Sequence, residues 1–198
     1  MATSREPFEF DCYYHVFNHA RGNDNIFESE KDNQSFLELI SKYIDKVAQI
    51  YAYCLMPNHF HILCKIKEVE LPSKFEDKHE SDYISHQWGN VQNTYSKKKN
   101  FSTGKRGGLF CQSINRNLIT SEDYLQMCIA YIHNNPVTHG FCGLPENWKF
   151  SSYKAIISDQ PTKIQREEVL YWFENKKNFI EYHKTNAADI FATKFNIN

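Results

Sequence analysis

His59 and His61 flank one bulky apolar residue, Phe60, at the head of the apolar run Ile62-Leu63-Cys64 that continues to Ile66. That run reads as a strand, in which side chains alternate faces with period two. The two imidazoles therefore project from one face, while Phe60 and Ile62 point to the other. Side by side on a rigid strand they are ready ligands for a divalent metal. Histidines with ordinary hydrogen bonds are the commoner outcome of such a pair, so the metal reading needs a second constellation.

That constellation lies downstream, at Tyr131-Ile132-His133-Asn134-Asn135-Pro136-Val137. Leu125, Cys128, Ile129 and Ile132 recur at helical spacing and mark one buried stripe. At about 100° per residue, Tyr131 lies roughly 110° from the centre of that stripe, and Asn135 falls within about 40° of Tyr131. A phenol and a carboxamide thus share a flank outside the expected core. Amphipathic packing for Tyr131 and a C-cap for Asn135 are the plain structural roles of these residues. Chemically, Tyr131 could attack a phosphodiester as a covalent nucleophile. A metal held by His59 and His61 would polarise a phosphate oxygen, and Asn135 could complete the coordination through its amide oxygen. Such a donor set suits Mg2+ or Mn2+ with waters, with zinc or nickel as adventitious occupants.

The elements that must position these residues follow from periodicity. Residues 12–18 read as a first strand, and Ser29 precedes a helix whose apolar positions run from Phe36 to Val47. Residues 50–56 and 59–66 form an antiparallel hairpin through Pro57-Asn58. A helix over 83–98, a glycine-bearing connection over 99–108 and a strand over 109–119 follow. The order β-α-β-β-α-β predicts an α+β, ferredoxin-like four-stranded antiparallel sheet with packed helices. A further helix, capped by Thr120, ends at Pro136. Two short helices, around 166–174 and 178–183, and a loose tail complete the chain. The expected organisation is one unit over residues 1–160 with a helical extension over 161–198.

Composition narrows the class. Over 198 residues, 41% hydrophobic and 15% aromatic content favours a folded chain over a disordered one. The longest apolar stretches are only strand-length, so no membrane span is expected and the cytoplasm is the default location. Six cysteines without a Cys-x-x-Cys pair read as reduced, mostly buried thiols rather than a zinc site or disulfide framework. A net charge of −1 advertises no partner, but its distribution does. Residues 83–121 lack Asp and Glu and carry Lys97, Lys98, Lys99, Lys105, Arg106 and Arg116, a stripe suited to phosphates or to plain solvation. Tyr95, Phe101 and Phe110 interleave with it and could stack unpaired bases, with a place in the core equally open to Phe101 and Phe110.

With these motifs in order, the sequence resembles the single-tyrosine HUH transposases, in particular their REP-associated branch. The resemblance rests on Tyr14-His15-Val16-Phe17-Asn18, on Met56-Pro57-Asn58-His59-Phe60-His61, on Gly108-Leu109-Phe110 and on Tyr131-Ile132-His133-Asn134-Asn135-Pro136-Val137. Phe150-Ser151-Ser152-Tyr153 and Phe179-Ile180-Glu181-Tyr182-His183 resemble later segments of that family. It implies an HUH nuclease fold that cuts and rejoins hairpin-containing single-stranded DNA through a 5′-phosphotyrosine, with a divalent metal and no nucleotide cofactor. By position it implies Tyr131 as nucleophile and His59, His61 and Asn135 as metal ligands. Arg21 would stand in for a basic contact of a shorter loop in relatives, and the basic run after Phe110 is reduced to Arg116.

Monomer and homodimer are both open, as is a site shared between chains. Two rival functions stand beside the nuclease: a domesticated protein of the same fold that holds hairpins without cutting, and a metal hydrolase of small phosphoesters that makes no use of Tyr131.

Overall fold

The computed structural model describes residues 6–22, 24–111, 113–185 and 187–195. Four strands form one antiparallel sheet: β1 (Tyr13–His19), β2 (Ala48–Met56), β3 (His59–Ile66) and β4 (Asn115–Ile119), in the order β2-β3-β1-β4. This is the ferredoxin-like order expected from the sequence, and β3 occupies the predicted residues. β1 and β3 are central. Phe17 lies opposite His61 and His19 opposite His59.

The helices divide between the two faces. On one lie α1 (Glu30–Leu39), continued by a π-helical turn (Ile40–Ile44), and α2 (Glu80–Thr103). They enclose an apolar cluster with Tyr14, Val16, Phe60, Ile62 and Cys64. On the other lie α3 (Glu122–Thr138), α4 (Tyr153–Ile157), α5 (Arg166–Trp172), α6 (Lys176–Tyr182) and α7 (Ala187–Phe195). Their cluster includes Leu63, Ile129, Phe179 and Phe191. Period-two alternation thus sends Phe60 and Ile62 toward α1 and α2, and His59, His61 and Leu63 toward α3.

Several boundaries differ from expectation. Helix α2 runs beyond residues 83–98 at both ends and stops where Gly104 takes a left-handed φ of 68°, a conformation glycine adopts freely. Strand β4 begins at Asn115, not at residue 109; Phe110 meets β1 only through an isolated bridge to Ala20, out of register with β4. Ser121, not Thr120, caps α3, its hydroxyl accepting from the Tyr124 amide at 3.3 Å, because β4 extends to Ile119 and leaves Thr120 as the link. Pro136 lies inside α3 rather than ending it. In the last turn its missing N–H removes one bond, and the turn still closes through the His139 amide on the Asn135 carbonyl at 3.0 Å. The tail read as loose contains α7, whose Ala188 and Phe191 are buried against α3 and the sheet.

The hairpin turn that presents His59 is pinned from outside. The Pro57 carbonyl accepts from the Ile26 and Phe27 amides at 2.7 and 2.9 Å, and the Asn58 carbonyl from Ala20 at 2.7 Å. Beneath it Phe36 packs against Phe27, Phe60 and Tyr95 with ring centroids 5.1, 4.9 and 5.3 Å away. Truncating this fully buried ring leaves a cavity under the histidine strand. Phe36→Ala should lower stability by about 3–5 kcal/mol, read as a fall in urea midpoint at constant m.

Candidate nuclease site

Strand β3 and helix α3 bring four of the expected residues together within one chain. His59 Nε2 lies 2.7 Å from Asn135 Oδ1, the His59 and His61 ring centroids are 5.1 Å apart, and the His61 ring meets Tyr131 edge-on at 5.1 Å. His61 is 4% exposed, Asn135 2% and Tyr131 8%, so the cluster is nearly sealed. The helical-wheel expectation that Tyr131 and Asn135 stand outside the core is corrected here. Helix α3 packs on the sheet and also against α7, and Phe191 covers Tyr131 with ring centroids 5.3 Å apart.

Burial sets the protonation states. His59 is depressed to about 4 and His61 well below the usual imidazole range, chiefly because charging them would need solvent they lack. Both are neutral near pH 7 and offer a lone pair. Burial pushes the Tyr131 phenol well above its ordinary value, and the hydrogen bond from Asn135 pulls only weakly the other way.

The donor geometry fits a divalent cation. His59 has an acceptor oxygen at each ring nitrogen: Asn58 Oδ1 at 2.7 Å from Nδ1 and Asn135 Oδ1 at 2.7 Å from Nε2. A neutral imidazole has one N–H and satisfies one of them. With that proton shared with Asn58, Nε2 and the amide oxygen of Asn135 turn lone pairs toward the same point, which a cation would reconcile. Among the described residues no three His, Cys, Asp or Glu side chains converge on a metal-sized site. The neutral carboxamide of Asn135 is a hard oxygen donor of the kind that Mg2+ and Mn2+ take.

The basic residues are distributed unevenly. Arg21 stands in the loop on the β2–β3 turn, its amide donating to the Leu109 carbonyl at 2.8 Å, next to exposed Lys105 and Arg106. Lys97 and Lys98 are exposed near the end of α2 that meets this loop, where the Tyr95 hydroxyl donates to the Ile26 carbonyl at 2.8 Å. Lys99 lies elsewhere: it is 9% exposed and bridges Asp32 and Glu28 at 2.7 Å each, tying α2 to the first turn of α1. Arg116 is on the α2 side of β4, its guanidinium 4.2 Å above the Phe8 ring. Of the interleaved aromatics, Tyr95 and Phe110 are core residues, whereas Phe101 is 93% exposed.

Two histidine arrangements were not read from the sequence. His15 projects from β1 on the face of His61. Farther away, His183 Nδ1 donates to the Phe179 carbonyl at 2.7 Å and its Nε2 accepts from His133 Nδ1 at 2.9 Å. His133 Nε2 then accepts from the Ser152 hydroxyl at 2.8 Å, which takes the Tyr53 amide at 2.9 Å. Every proton in this buried chain has a place, and it joins β2, α3, α4 and α6.

No curated protein matches the sequence. A solved structure described as the REP-associated tyrosine transposase bound to a REP hairpin superposes with a TM-score of 0.63 at 17% identity, covering 81% of this chain and 89% of that one. A bacterial tRNA(His) guanylyltransferase-like protein in complex with ATP aligns with a TM-score of 0.43 at 12% identity, over 88% of this chain and 74% of that one. The sequence over residues 8–135, which spans all four strands and α3 through Asn135, matches the family described as "Transposase IS200 like". The chain belongs to the IS200-like transposase family.

Proposed function

We propose that this protein cuts and rejoins single-stranded DNA carrying hairpins, as a cytoplasmic, metal-dependent tyrosine transposase of the REP-associated kind. The observation that carries the reading is the convergence of His59, His61, Asn135 and Tyr131 within one chain, which supports an active site assembled in cis by a monomer. His59, His61 and Asn135 would hold Mg2+ or Mn2+. When bound there, the cation supplies positive charge to the scissile phosphate.

The chain's own groups do the rest. Tyr131 Oη attacks phosphorus in line, loses its proton and forms a 5′-phosphotyrosine, while the bond to the 3′ oxygen breaks and that oxygen leaves as a hydroxyl. Asn135, one turn farther along α3, would lie beside the phenol and help to orient it. Reversal by another 3′-hydroxyl rejoins the strand. Residues 1–160 would form the nuclease and residues 161–198 its cover, since Phe191 lies over Tyr131.

Exposed Phe101, with Lys97, Lys98, Lys105, Arg106 and Arg21 toward one end of the sheet, would stack an unpaired base beside its backbone. Stacking on one aromatic is worth about 1–3 kcal/mol. Phe101→Ala should therefore weaken single-stranded DNA binding by roughly 5–150-fold and leave the melting temperature unchanged, as fluorescence anisotropy and calorimetry will show.

The deciding experiment is covalent trapping: protein, Mn2+ and labelled DNA hairpins with varied flanks, resolved on a denaturing gel. A linked band removed by chelator and by His59→Ala supports the transposase. Hairpin binding with no band in any condition favours the non-cutting binding protein. Cleavage of a small phosphodiester without any linked band favours the hydrolase.

A further inference from the structure

His15 is fully buried on β1, one strand over from His61 and diagonal to it. The two rings stack with centroids 5.1 Å apart and an interplanar angle of 17°, and His15 Nε2 lies 3.0 Å from His61 Nδ1. Phe17, stacked on His15 at 5.0 Å, and Phe191, edge-on at 5.5 Å, close the remaining sides. The other ring nitrogen of His15, Nδ1, is buried without a hydrogen-bond partner.

A neutral imidazole has one lone pair and one N–H. For His61 to offer Nε2 to a cation its proton must sit on Nδ1, and the group hydrogen-bonded to Nδ1 is His15 Nε2, which must then accept. His15 in turn carries its proton on Nδ1, the atom without a partner. Such an orphaned N–H costs about 1–3 kcal/mol. The opposite assignment puts a proton on His61 Nε2 and blocks ligation. Metal-ligating histidines generally have this kind of outer partner on the second nitrogen, usually a carboxylate, carbonyl or water; a second imidazole fills the place here.

We propose that His15 is a positioning residue for the metal site, accepting the Nδ1 proton of His61 and thereby holding the ring and tautomer in which His61 Nε2 is a ligand. The inference rests on the metal reading above and adds to it a residue that touches neither cation nor DNA.

The test is Mn2+ affinity, measured from the electron paramagnetic resonance signal of free Mn2+ on the full chain. His15→Leu should bind Mn2+ about 10–100-fold more weakly than the parent. His15→Gln, whose side-chain oxygen reaches the position of Nε2, should stay within about threefold of the parent. His15→Asn, a bond too short, should behave like His15→Leu and serves if that variant fails to fold. A 15N-imidazole spectrum of the Mg2+-loaded protein reads the tautomer directly: His61 should carry its proton on Nδ1 in the parent and in His15→Gln. Parental Mn2+ affinity in both His15→Leu and His15→Asn overturns the role of His15 and leaves the metal site standing. No Mn2+ binding by the parent, matched by His61→Ala, overturns the metal site and the inference with it.

Discussion

Tyr131→Phe should abolish the covalent DNA adduct while hairpin affinity stays within about threefold of the parent. The substitution removes one oxygen and keeps the ring against His61 and Phe191. Removing the hydroxyl of a residue only 8% exposed costs about 1–3 kcal/mol of stability at most. The chemistry has no substitute, because a covalent route without its nucleophile does not proceed, and losses of about 10^3-fold or more are the ordinary result of deleting such a group. The readout is a pair of gels from the same preparation, one denaturing and one native. An adduct persisting in Tyr131→Phe assigns the nucleophile elsewhere.

Acidification should destabilise the fold steeply, and the buried pair His133 and His183 should account for much of it. Burial holds His183 at about 4 and His133 well below the usual imidazole range, against about 6.5 for either residue in the unfolded chain. Between pH 6.5 and 4 the unfolded state takes up protons that the folded state refuses, so stability falls as pH falls through that window. Each histidine contributes up to about 1.4 kcal/mol per pH unit, which gives the pair roughly 4 kcal/mol between pH 7 and 5. Urea midpoints across that range measure it. The double variant His133→Leu, His183→Leu removes the pair's share and should make the slope shallower, leaving the part that buried His15, His59 and His61 supply; an unchanged slope would place the acid sensitivity in other groups.

The parts legible in the sequence are those governed by local period. Strand β3 and the shared face of His59 and His61 follow from alternation alone, and the order of strands from hairpin and helix signals. Tyr131 was misplaced because a helical wheel assumes one buried side, whereas α3 is buried on two. Helix α7 was not seen because Ala188, Phe191 and Ala192 are too short a stripe to separate from a tail. Lys99 and Lys98 are neighbours of identical chemistry, yet one is exposed and the other is buried by Asp32, 67 residues away. His15 needed the register: only the pairing of Phe17 with His61 places it diagonally beside His61 on β3.

The two apolar clusters also differ in when they can form. The fully buried residues of the one on the α1–α2 face are all made by Ile114, whereas those of the other wait for Phe191. At ~5–20 residues per second on a ribosome, the intervening stretch takes about 4–15 s to synthesise. During that interval the sheet can be covered on one side only, with Tyr51, Leu63, His59 and His61 facing outward. A nascent chain thus presents an apolar sheet face for seconds before α3 and α7 arrive, which makes the synthesis of residues 115–191 the window in which a chaperone matters most to this protein.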